Sequence, residues 1–199
     1  KYIYMTTSAN FGNMFSMAGA ALFLPFLPLL PKQILLNNFL TDFPAMAIAT
    51  DAVDPELVER PRRWNISFIR DFMIVFGVVS SIFDFLTFAV LVFILKATPE
   101  VFRTGWFVES VMTEVLIILV MRTWRPFYTS MPSRPLLAAM IVVLLITLAL
   151  PYSPLSGLLG LTPLPLSSLL LLGIITVLYA GASELTKKFF HARAFVQGI

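Results

Sequence analysis

The sequence contains no cysteine, and its only histidine is His191 in a basic tail. Disulfides, thiolate metal centres and cysteine nucleophiles are excluded together, and so is any site built on a pair of histidines. Charge is scarce as well: Asp, Glu, Lys and Arg supply 13% of the 199 residues, about half the share of a soluble domain. No glycine-rich phosphate loop, G-x-S-x-G elbow or basic patch with interleaved aromatics occurs outside the apolar stretches, so neither P-loop nor serine-hydrolase chemistry nor nucleic-acid binding is expected. What is abundant is apolar. Hydrophobic residues make up 58% of the chain and the mean hydropathy is +0.88, more than one globular core can hide. The expected fold class is all-α, a polytopic membrane helix bundle embedded in a lipid bilayer.

Six stretches are expected to span the bilayer as a single transmembrane domain over residues 1–199: Thr6–Leu30, Gln33–Thr50, Phe68–Leu95, Thr104–Met121, Leu136–Leu150 and Leu166–Phe190. The first two are separated only by a Pro25, Pro28, Pro31, Lys32 link and are expected to pack as an antiparallel hairpin. Eleven of the fourteen Lys and Arg fall on one side of this arrangement: Lys1, Arg60, Arg62, Arg63, Arg70, Arg122, Arg125, Arg134, Lys187, Lys188 and Arg193. Lys32, Lys96 and Arg103 fall on the other. The positive-inside rule then puts both termini in the cytoplasm, which requires an even number of spans. The connection from Pro151 to Pro165 carries no charge and four prolines, and is expected at the outer interface. The chain starts at Lys1 with no signal-peptide pattern, and reads as a fragment.

Asp42, Asp84 and Glu114 lie near span centres, where an ionisable side chain costs about 2.5 to 3.5 kcal/mol on insertion scales. Interhelical hydrogen bonding by protonated carboxyls is one explanation and an ion pathway the other. Asn38, Thr41 and Asp42 share a helical face, and Pro44 is expected to interrupt the helix and free the carbonyl of Leu40 beside them. Amide, hydroxyl, carbonyl and carboxylate oxygens are the ligands of a hard cation, and a broken mid-membrane helix is where transporters place them. Asn10 and Asn13 are able to point across the hairpin toward that face. Ser8, Gly12, Ser16 and Ala20 form a small-residue row suited to close helix packing. Gly77, Ser80, Ser81, Asp84 and Thr87 give the third span a polar face, with Phe83, Phe85 and Phe88 left for lipid or apolar packing. Glu109 and Glu184 are expected near the interfaces, and Asp51, Asp54 and Glu56 on a solvated loop.

Asn37-Asn38-Phe39-Leu40-Thr41-Asp42, then Pro44-Ala45, Asp54-Pro55-Glu56 and Arg60-Pro61-Arg62-Arg63-Trp64, resemble the sixth membrane helix and following loop of P-type cation ATPases. Ser8-Ala9-Asn10-Phe11-Gly12-Asn13 resembles the ion-site start of their fifth helix. Phe76-Gly77-Val78-Val79-Ser80-Ser81-Ile82-Phe83-Asp84, Gly105-Trp106-Phe107-Val108 and Leu150-Pro151-Tyr152-Ser153-Pro154-Leu155 are most similar to bacterial magnesium-transporting members. The resemblance implies a transport-site region for a divalent cation, magnesium first, in a bacterial or archaeal plasma membrane. It implies Asn10, Asn38, Thr41, Asp42 and Glu114 at family ion-site positions; Asn13 stands where calcium pumps carry a glutamate. Asp42 is expected as central carboxylate, Asn10, Asn13 and Asn38 as amide ligands or orienting groups, and Glu114 or Asp84 as further charge. It also implies a partner: the first four helices and the cytoplasmic domains of such a pump, whose phosphorylated Asp-Lys-Thr-Gly-Thr motif does not occur in Lys1–Ile199. These residues alone are expected to be inactive toward ATP. A calcium or proton pump, a stand-alone six-helix channel or carrier, and a non-transporting remnant are the alternatives.

Overall fold

Proline and capping side chains set where several helices begin. Pro31 and Pro99 occupy the first turns of their helices, where a missing N–H costs nothing. The Thr98 hydroxyl accepts from the backbone N–H of Val101, the Ser133 hydroxyl accepts from that of Leu136, and the Gln33 side chain accepts from that of Leu30. The computed structural model describes residues 2–51 and 66–196. Its elements are α1 (Tyr2–Phe23), α2 (Pro31–Ala47) with a 3₁₀ turn at Ile48–Thr50, and α3 (Ile66–Ala89) ending in a π turn at Val90–Ile94. They continue with α4 (Pro99–Met121), a 3₁₀ turn at Phe127–Thr129, α5 (Arg134–Ala149) running into a 3₁₀ turn at Leu150–Tyr152, a one-turn α6 (Ser156–Leu159) and α7 (Leu166–Val196). The described residues are all-helical.

Helix α4 is the axis of the bundle and touches α1, α2, α3, α5 and α7. Its apolar stretch is 83% buried, against 28% to 44% in the other long apolar helices. Phe102, Trp106, Phe107, Val108, Val111 and Val115 have no exposed surface. Trp106 meets Phe88 edge-on at 4.7 Å between centroids, and Gly105 leaves room for Leu91. Phe85 and Phe83 pack against Phe88 and Tyr179, so the aromatics of α3 serve the protein interior. Its lipid stripe is instead Ile74, Val78, Ile82 and Leu86, exposed at every fourth residue.

Among the described residues four helices are long and apolar enough to cross a membrane: Ile66–Ile94, Pro99–Met121, Arg134–Tyr152 and Leu166–Phe190. Six were expected. Among the described residues α1 and α2 fall short, because α2 has only 17 residues and α1 is punctuated by Thr6, Ser8, Asn10, Asn13 and Ser16. Helix α1 also stops at Phe23, and the proline-bearing link 24–30 is not helical.

The hairpin expectation is modified too, since α1 packs most extensively on α3 rather than on α2. Ser8, Gly12, Ser16 and Ala20 are all buried, and a Cβ on Gly12 would lie 3.0 Å from the Cβ of Ser80 and 3.3 Å from the carbonyl of Gly77. Ser81 donates to the Gly12 carbonyl at 3.2 Å. The small-residue row lets two backbones approach and hydrogen-bond. Gly12→Val should therefore lower thermal stability in lipid by about 1 to 3 kcal/mol through overpacking. Gly157→Ala, with nothing within 4 Å of the added carbon, should leave it unchanged.

Pro44 corrects another expectation. The helix runs through it to Ala47, so the proline removes one donor to the Leu40 carbonyl without breaking the rod.

Candidate cation site

Helices α1 and α2 bring oxygen-bearing side chains together beside α4. Glu114 Oε1 accepts hydrogen bonds from Asn13 of α1 at 2.6 Å, from Asn37 of α2 at 2.7 Å and from Ser110 one turn before it at 3.2 Å. Ser110 also donates to Asn13 Oδ1 at 3.4 Å. Three donors on one carboxylate oxygen fix its direction and supply part of the stabilisation a buried charge needs. Next to this cluster lies a cavity of about 220 Å³, lined by Thr6, Asn10, Asn38, Thr41, Asp42 and Glu114 among its polar residues, with Met5, Ala9, Ala45, Ile117 and Ile118 as apolar walls. Asn38, Thr41 and Asp42 thus face one space, with Asn10 opposite. Asn10 and Asn38 are exposed, Asp42 is half-buried, and Glu114 is buried. The Thr41 hydroxyl bonds back to the Asn37 carbonyl at 3.0 Å. Among the described residues no three His, Asp or Glu side chains form a ready-made metal centre, so any cation here would rely on amides, hydroxyls and water as well as carboxylates.

Asn13 and Asp84 stand apart from the cavity lining. Asn13 reaches it through Glu114. Asp84 sits at the meeting of α1, α3 and α4, 2% exposed, accepting from Ser16 at 2.5 Å and from the Trp106 indole at 3.1 Å.

Glu109 overturns its expected interfacial position, being fully buried and beside Asp84. Helix α4 begins at Pro99, five residues before the expected start, and this moves Glu109 to its middle. Asn37, which the sequence offers only within the Asn37–Asp42 motif, is the buried amide of the pair Asn37–Asn38. Its position four residues before Thr41 was the available signal.

The carboxyl end of α4 gathers buried charge, where Glu184 was expected near an interface and Asp51 on a solvated loop. Lys187 is 1% exposed, pairs with Glu184 at 2.8 Å, and donates to the carbonyls of Val120 at 2.8 Å, Arg125 at 2.9 Å and Thr123 at 3.3 Å. It caps the carboxyl end of α4, where a cation meets the helix dipole. Arg122 pairs with Asp51 at 3.0 Å, and Asp51 also accepts from the backbone N–H of Ser133 at 2.8 Å, tying the end of α2 to the start of α5. Asp51 is therefore an interior partner rather than a solvated loop residue. Asp54, Glu56, Arg60, Arg62, Arg63, Trp64 and Lys1 lie outside the described residues, as do the side chains of His191 and Arg193. At the opposite end Lys32 donates to the Leu158 carbonyl at 2.6 Å and Gln33 to that of Gly160 at 2.8 Å. Gly160 ends α6 at φ +69°, a conformation that favours glycine.

A helical bundle with several apolar helices of membrane-crossing length, and carboxylates, amides and hydroxyls gathered at its buried centre, defines a membrane protein with a polar interior. Residues 26–189 match the family described as cation transporting ATPase, C-terminus, and the chain belongs to that family. It is 44% identical over 198 residues to the magnesium-transporting ATPase, P-type 1, of Escherichia coli K12, covering 97% of this chain and 22% of that protein. The protein of the same name from Salmonella typhimurium strain 14028s is also 44% identical, and one from strain LT2 is 35% identical, both with the same coverage. The chain spans about a fifth of the length of these relatives.

Proposed function

We propose that this chain is the transport-site region of a magnesium-pumping P-type ATPase in a bacterial or archaeal plasma membrane, and that its cavity holds the cation during transport. The observation that carries this reading is a cavity between α1, α2 and α4 onto which Asn10, Asn38, Thr41, Asp42 and Glu114 all open. Asp42 supplies the central carboxylate, Glu114 the second, and Asn10 and Asn38 amide oxygens. Asn13 and Asn37 orient Glu114. Magnesium dehydrates reluctantly and accepts one or two carboxylates with several waters, which suits a roomy pocket with two carboxyls and few other charges. ATP hydrolysis and the drive for helix movement belong to the rest of the pump, the chain's proposed partner together with the lipid bilayer.

The test is ATP-driven ion uptake by the intact protein containing this chain, reconstituted in vesicles and compared for magnesium, calcium and protons. Nucleotide-dependent magnesium uptake is expected. Uptake of calcium or protons alone would identify a different pump, and flux without nucleotide a channel or carrier.

The topology we propose has six spans with both termini cytoplasmic, α1 and α2 crossing as the polar lining of the site and not by apolarity alone. These 199 residues contain no cysteine, so the topology is directly measurable in intact protein from which any cysteine elsewhere has been replaced. A single cysteine introduced by Ser130→Cys should react with an impermeant thiol reagent only from the cytoplasmic side, and one introduced by Gly157→Cys only from the outside. The reverse pattern, or both reacting from one side, would overturn the topology.

A further inference from the structure

Asp84 and Glu109 form a second polar centre, separate from the cavity, whose hydrogen-bond accounting does not close for two carboxylates. Glu109 has no exposed surface, and neither of its oxygens accepts from an N–H or O–H of the described residues. Its polar neighbour is Asp84, within hydrogen-bonding reach. Both Asp84 oxygens are already occupied, by the Ser16 hydroxyl and the Trp106 indole N–H. Among the described residues neither carboxyl has an ion-pair partner. The charged and titratable groups facing the pair are Glu114 from α4 and the Tyr179 phenol from α7, while α1 contributes only Ser16. No cation is supplied from any of these sides. Two carboxylates within hydrogen-bonding reach of each other in this buried interior would repel, and Glu109 would accept from no N–H or O–H of the described residues, an arrangement native interiors avoid.

We propose that Asp84 and Glu109 are a binding site for one proton, carried on Glu109 and donated to Asp84. The roles follow from the surroundings. Asp84 is the better acceptor because Ser16 and Trp106 both donate to it, and Glu109 has nothing else to give it a hydrogen bond. The proton turns a double charge into a single one shared through a charge-assisted hydrogen bond, the arrangement that keeps paired buried carboxyls together. It also joins α3 to α4 beside the contact of α1 with both helices.

The experiment is infrared difference spectroscopy of the intact protein in lipid, without magnesium or nucleotide, comparing unmodified protein with Glu109→Gln and Asp84→Asn. A carbonyl stretch of a protonated carboxyl is expected in the unmodified protein and should be lost in Glu109→Gln, whose amide can still donate to Asp84. In Asp84→Asn the band should persist at a shifted frequency. Because a variant can fail to fold, the unmodified protein is also prepared with carboxyl-labelled glutamate and, separately, with labelled aspartate. The band lost in Glu109→Gln should move with the glutamate label only. No band sensitive to Glu109→Gln, or one that moves with the aspartate label, would overturn the assignment. Since no transported ion is present, this outcome is independent of whether the chain belongs to a magnesium pump.

Discussion

Asp42→Asn in the intact pump should abolish magnesium-dependent growth of a host that relies on it, and lower cation affinity by at least about 100-fold. Loss of groups that only support a metal ligand already costs about 10- to 100-fold. Asp42 is proposed as a direct ligand, so its loss should exceed that range. The side chain lines the cavity with Asn38 and Thr41 on α2 and Glu114 on α4, and replacing it with an amide keeps the shape while removing the charge. Normal folding with lost uptake is therefore the expected pair of results. Ala9, another lining residue, supplies only an apolar wall, and Ala9→Ser should leave uptake within a few-fold. Equal magnesium-dependent growth with Asp42→Asn and with the unmodified protein would remove Asp42 from the site.

Lys187→Ala is expected to destabilise the bundle by about 3 to 5 kcal/mol, the usual cost of removing one partner of a buried ion pair. The Lys187 ammonium meets Glu184 and three backbone carbonyls at the end of α4. Its removal leaves an uncompensated carboxylate and a helix terminus without its cap. Lys187→Met should be nearly as damaging, because it fills the space and still supplies no donor. Lys188→Ala, which removes the neighbouring cation, should have little effect. Thermal unfolding in lipid, followed by retention of the folded monomer on a sizing column, measures all three. A stability equal to that of the unmodified protein in Lys187→Ala would mean that the buried contacts at the carboxyl end of α4 do not hold the bundle together there.

Much of the helical plan was legible because it is written in apolar runs and prolines. α5 begins within two residues of its expected start and ends within one of its expected end, bounded by Pro135 and Pro151. Helix α7 begins at the expected Leu166, just after Pro165. Periodicity also put Asn38, Thr41 and Asp42 on one face, and they share the cavity. What periodicity does not reveal is which helix lies across from a given face. The small-residue row of α1 was visible, but only packing shows that Gly77 and Ser80 of α3 meet it. Counting Lys187 and Arg122 among the cations of one side does not tell their depth, because sequence position reports depth poorly at helix ends; both bury themselves against carbonyls and carboxylates. Glu109 differs from its expected position for a similar reason, since α4 begins five residues earlier than the hydrophobic run suggests. Of the four long apolar helices α4 is the most enclosed and the least apolar, so its polar residues carry much of the interior's electrostatics.

The central claim is that the cavity between α1, α2 and α4 is where the cargo cation sits. It is tested most directly by a crystal structure of the intact protein soaked with manganese, a hard divalent ion that accepts the same oxygen ligands as magnesium. Its anomalous scattering marks its position without ambiguity about water. A peak within coordination distance of Asp42 and Glu114, weakened by competing magnesium, is the expected result. A peak elsewhere in the membrane region, with the cavity empty, would contradict the assignment of the site.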